Sequence, residues 1–63
     1  MLEQALLREQ IQAFLTTENQ THQAYARLME ATENPQLREQ LEQLGKEKQR
    51  HIRLTEQLLE ILE

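Results

Sequence analysis

The chain contains no cysteine, serine, aspartate, valine or tryptophan. Without cysteine, neither a disulfide nor a thiolate metal site can reinforce a small core, and thiol usage gives no indication of redox compartment. Without serine or aspartate as well, a nucleophile–His–acid arrangement lacks its usual members, and the five threonines are scattered along the chain. The single glycine, Gly45, leaves no glycine-rich loop to cradle a phosphate. The only aromatics are Phe14 and Tyr25, too few for a base-stacking platform. No apolar run approaches the ~20 residues that a membrane-spanning helix needs. The opening Met1-Leu2-Glu3-Gln4 lacks the basic region and apolar stretch of a signal peptide, so a cytoplasmic location is expected.

What remains is mostly Glu, Gln, Leu, Arg and Ala, all strong helix formers. The 63 residues carry 11 acidic and 7 basic side chains, for a formal charge of −4. The one strong break is Thr32-Glu33-Asn34-Pro35. There Asn34 suits an N-cap and Pro35 the first helical position, where its missing N–H needs no partner. The spacing therefore predicts an all-α antiparallel hairpin forming a single domain over residues 1–63, with a helix over 2–32, a turn at 33–34 and a helix over 35–62.

Apolar residues repeat in both halves at alternating intervals of three and four, as in a coiled-coil seam. The first stripe is Leu7, Ile11, Phe14, Glu18, Thr21, Tyr25, Leu28 and Thr32. The second is Leu37, Leu41, Leu44, Lys48, His51, Thr55, Leu58 and Leu62. Folded about Asn34, these stripes set Leu7 against Leu62, Phe14 against Thr55, Glu18 against His51, Thr21 against Lys48 and Leu28 against Leu41. Flanking positions are apolar too: Leu15, His22 and Met29 beside Gly45, Ile52 and Leu59 on one side, Ala24 and Ala31 with Leu54 and Ile61 on the other. A lone hairpin leaves one flank in water, so the expected assembly is a homodimer closing into a four-helix bundle. Gly45 costs about 1 kcal/mol in a helix interior relative to alanine, and close helix approach near the centre is the expected reason for it.

The seam is apolar at its ends and polar in its middle, where Glu18, Thr21, Lys48 and His51 fall. Inward-facing carboxylates and imidazoles on neighbouring helices are the raw material of a bundle-core metal site. The stretch from Glu18 to Tyr25, the Glu33-Asn34-Pro35-Gln36-Leu37-Arg38 turn, and Leu41 to Leu44 followed by Gly45, Lys48, His51 and Leu58 resembles one helix pair of a ferritin-like, rubrerythrin-type protein. That family places a Glu on the first helix and a Glu-x-x-His motif on the second, together holding iron or manganese. Glu18 matches the first-helix Glu and His51 the motif His, whereas position 48 carries Lys in place of the motif's Glu. The resemblance implies a half-bundle in which the Lys48 ammonium takes the electrostatic place of the metal beside Glu18. It keeps an iron or manganese site at Glu18, His51 and His22 as an alternative.

Arg38, Lys46, Lys48, Arg50 and Arg53 gather on the second helix. The two-helix plan and length also resemble the small plasmid copy-number regulators of the Rop type, which bind RNA as dimeric bundles. Glu39, Glu42, Glu47 and Glu56 are interspersed among these bases, and a dimer doubles the charge of −4, which disfavours nucleic acid. The expected protein is therefore a small structural or interaction module, non-catalytic and without cofactor, whose partner is itself.

Overall fold

A computed structural model of the chain describes residues Leu2–Leu62, with side chains from Glu3 onward; Met1 and Glu63, the two ends of the expected domain, lie outside the described residues. Two helices, α1 (Leu2–Ala31) and α2 (Pro35–Leu62), pack against each other as an antiparallel hairpin, with no strand among the described residues. The pair is a rod of 50 × 15 × 10 Å, as expected for ~30 residues rising about 1.5 Å each.

The turn works through local hydrogen bonds. Asn34 Oδ1 accepts the Gln36 and Leu37 N–H groups at 3.0 and 3.1 Å, and its backbone oxygen accepts the Arg38 N–H at 2.9 Å. These satisfy donors that the first turn of α2 would otherwise leave bare. Helix α1 stops one residue before Thr32, whose hydroxyl accepts the Asn34 N–H at 3.2 Å and so belongs to the turn. At the far end, Gln4 Nε2 and Arg8 Nη2 donate to the Leu62 carbonyl oxygen at 3.2 and 2.8 Å. The start of α1 thereby caps the open end of α2, a long-range contact that spacing alone does not reveal.

The helices are rotated relative to the expected seam. The positions withdrawn from water on α1 include Arg8, Ile11, Leu15, Glu18, His22, Tyr25 and Met29, followed by Thr32 in the turn; those on α2 are Leu41, Gly45, Lys48, Ile52, Thr55, Leu59 and Leu62. Half of each expected stripe is retained, namely Ile11, Glu18, Tyr25 and Thr32 with Leu41, Lys48, Thr55 and Leu62. The other half is replaced by the adjacent flank, a turn of about 50° around each helix axis. Leu7, Phe14, Leu28, Leu37, Leu44 and Leu58 are consequently exposed.

Among the described residues, the only buried apolar side chain is Leu41, alongside the polar Glu18 and Thr55, and none of the three is sealed off completely. Close approach does not explain Gly45 within the hairpin: a Cβ built there meets nothing within 4 Å.

Two predictions follow from this local chemistry. Asn34→Ala removes the cap and should lower stability by about 1 kcal/mol in urea melts. Gly45→Ala, entering open space, should raise it by roughly 0.5–1 kcal/mol through helix propensity alone; a loss of stability would mean that a neighbouring surface approaches Gly45.

Candidate functional site: the polar centre of the seam

Glu18 and Lys48 sit midway along their helices, each on the stripe retained in the seam. Lys48 Nζ lies 3.0 Å from Glu18 Oε2, with the lysine side chain 19% exposed and the glutamate side chain 10%. Lysine reaches this position because its long stem packs along the apolar seam while the ammonium finds a carboxylate. Two residues of opposite charge, nearly withdrawn from water and in contact, make a neutral unit. The pair favours one alignment of the helices, since sliding one past the other would strand a charge among leucines.

The neighbouring hydroxyls are satisfied within their own helices. Thr55 Oγ1 donates to the His51 carbonyl oxygen at 2.8 Å, and Thr21 Oγ1 to the Thr17 carbonyl at 3.0 Å. Thr16, Thr17 and Asn19 make the same four-residue back-bond to Gln12, Ala13 and Leu15. The centre of α1 thus carries a run of polar side chains that lean on their own backbone, leaving no hydroxyl of this run aimed across the seam.

The remaining candidates separate. His51 is exposed, not opposite Glu18, because the rotation of α2 carries it out of the seam and brings Lys48 to the carboxylate. Thr21, expected against Lys48, is partly buried beside the seam. His22 is partly buried and lines two shallow grooves, one with Tyr25, Met29, Leu41, Glu42, Gly45 and Lys46 and one with Asn19, Gln49, Ile52 and Arg53. In an antiparallel pair, corresponding flanks of the two helices lie on the same side. The stripe of Leu7, Phe14, Thr21 and Leu28 therefore adjoins that of Leu37, Leu44, His51 and Leu58, and the His22 grooves open on the opposite side. Among the described residues, no three His, Asp, Glu or Cys side chains come together as metal ligands would.

The basic residues of α2 are partly committed. Lys48 is engaged by Glu18, and Lys46 Nζ lies 3.4 Å from Glu42 Oε1 one turn earlier, a solvent-exposed pair of small energetic weight. Among the described residues, no helix is both long and apolar enough to cross a membrane.

The central pair can be tested by comparing single and double replacements. Glu18→Gln or Lys48→Met alone leaves one charge in the seam and should cost about 2–3 kcal/mol in urea unfolding. Replacing both, as Glu18→Leu with Lys48→Met, should be neutral or stabilising, because two desolvated ions give way to apolar contact. If each single change were neutral, the pair would be open to water and would not lock the alignment. Comparison with protein-family models, with curated proteins and with solved structures finds no match to this chain.

Proposed function

We propose that the chain is a non-catalytic interaction module, a hairpin held in one register that presents an apolar side to another helical surface. The observation that carries this reading is the distribution of its exposed large apolar residues. Leu7, Phe14, Leu28, Leu37, Leu44 and Leu58 are all exposed, Phe14 at 55%, and all belong to the two adjoining stripes on one side. Leu54 and Ile61 extend that side along the outer edge of α2. Six large apolar residues gathered on one side, interrupted at its centre by Thr21 and His51, mark a contact site in a water-exposed protein, where isolated exposed leucines would not.

The chemistry at the centre supports the non-catalytic part. Glu18 is neutralised by Lys48, the Thr55 hydroxyl is bonded to its own helix, and His22 and His51 lie on opposite sides of the hairpin. The groove beside His22 also takes Tyr25, Glu42 and Lys46, the last two paired with each other, and the chain has no serine, cysteine or aspartate to complete a nucleophile–His–acid set. A ferritin-like metal centre at Glu18, His22 and His51 would need side chains that the hairpin distributes to the seam and to both of its sides.

The apolar side is tested with Leu44→Gln/Leu58→Gln. At a dilution that keeps any assembly apart, and with helicity checked by circular dichroism, a hydrophobic dye such as anilinonaphthalene sulfonate should bind the wild-type chain several-fold more strongly than the double variant. Equal binding would remove this side as the working surface.

A further inference from the structure

We infer that the occupant of the apolar side is a second copy of this chain, the two hairpins closing face to face into a four-helix bundle. This rests on the reading of that side as an interaction surface and names its partner.

The exposed area is the first support. The hairpin presents 5301 Å² to solvent, whereas a compact protein of 7.5 kDa presents about 4,200 Å² by the general scaling of surface with mass. The excess of roughly 1,100 Å² per chain becomes about 2,200 Å² for two chains, the size at which permanent homodimer interfaces begin.

The angular spread of apolar residues is the second support. Each helix of a four-helix bundle has two neighbours, seen from its axis about 90° apart. The hairpin supplies one neighbour, through stripes that include Leu15 and Ile52. Leu54 and Ile61 lie on the far edge of the open side, where α1 cannot reach them and the second neighbour would stand. The intervening stripes, Phe14 and Leu44 among them, then point at the common axis.

Charge explains why an identical face suits better than a lipid surface. The two inner stripes of the open side carry no Glu, Lys or Arg, so two copies can meet there without repulsion even though each chain bears a charge of −4. The same acidic balance opposes an anionic membrane. A symmetric dimer also needs a surface complementary to itself, and paired leucine stripes satisfy that condition. The polar members of those stripes are Thr21, whose hydroxyl is bonded to the Thr17 carbonyl, and His51, whose imidazole has no hydrogen bond among the described residues. His51 is therefore the side chain that closure should penalise.

The test is sedimentation equilibrium of the full chain from about 0.1 to 100 µM, read together with dye binding, since assembly makes both depend on concentration. The expected result is a two-chain mass at micromolar concentration, with dye binding falling as the dimer fills. Phe14→Gln/Leu44→Gln should raise the dissociation constant on the order of 100-fold or more. His51→Leu, which keeps every apolar contact, should tighten the dimer several-fold. A one-chain mass throughout with dye still bound would overturn the second copy while leaving an apolar docking surface for another partner. A one-chain mass without dye binding would overturn both readings. A trimer, a dimer indifferent to Phe14→Gln/Leu44→Gln, or a dimer that His51→Leu leaves unchanged or weakens would also overturn the inference.

Discussion

Two helices in contact can cover only about two stripes of each other, and this limit governs the rest of the molecule. In each helix, apolar residues occupy more than two stripes, so any rotation that buries one set leaves another in water. The observed rotation places Leu15, Met29, Ile52 and Leu59 at the contact and leaves Phe14, Leu28, Leu44 and Leu58 outside. The lack of any fully buried side chain among the described residues follows directly, since no side chain of a two-helix rod can be enclosed on all sides by one neighbour. The pairs that do become buried lie along the centre line, where Glu18, Leu41 and Thr55 sit.

That centre line is also where the electrostatics act. An ion pair this sheltered contributes little net stability, because desolvation offsets most of the attraction. Its effect lies in the difference between alignments. With Lys48 Nζ at 3.0 Å from Glu18 Oε2, the native register satisfies both charges, and a shift of one helical turn, about 5 Å, satisfies neither. Apolar contacts among leucines discriminate poorly between such shifts, since one leucine layer resembles the next. The polar centre thus supplies the uniqueness that the apolar ends lack, and the contacts at the two ends, Asn34 in the turn and Arg8 on the Leu62 carbonyl, hold the same alignment from outside.

The sequence made the hairpin legible because its signals are local. Asn34-Pro35 is a helix start whatever the rest of the chain does, and a three-to-four spacing of apolar residues over some thirty positions admits no other regular structure. The stripe shared by the expected and observed seams, including Ile11, Glu18, Leu41 and Lys48, was legible for the same reason. The rotation was not. Periodicity shows that a helix has an apolar arc, but it does not assign the edges of that arc to particular neighbours. The stripe with the more leucines was expected at the hairpin contact, and the structure puts Leu15, Gly45 and Ile52 there instead. His51 was misplaced by that half-step of rotation alone, for it lies three residues after Lys48 and shares its general side of the helix. The Arg8 and Gln4 contacts to the Leu62 carbonyl were illegible for a different reason: they join residues more than fifty positions apart through a backbone oxygen, which carries no side-chain signature.

The rotation also divides labour between the two sets of apolar residues. Residues at the hairpin contact include a lysine, a glutamate, a histidine, a glycine and two threonines, a mixed set well suited to fixing alignment and poorly suited to strong adhesion. The open side holds the larger share of leucine and the only phenylalanine, a set suited to adhesion and poorly suited to fixing alignment. Had the helices turned the other way, the leucines would have been spent on the intrachain contact, and the exposed side would have carried Lys48's neighbours and Gly45. Placing the specific residues inside and the adhesive ones outside gives a hairpin whose register is set before it meets anything else. The energy of apolar burial then goes chiefly into assembly, and the folded shape of the hairpin and its capacity to associate are consequences of the same half-step turn.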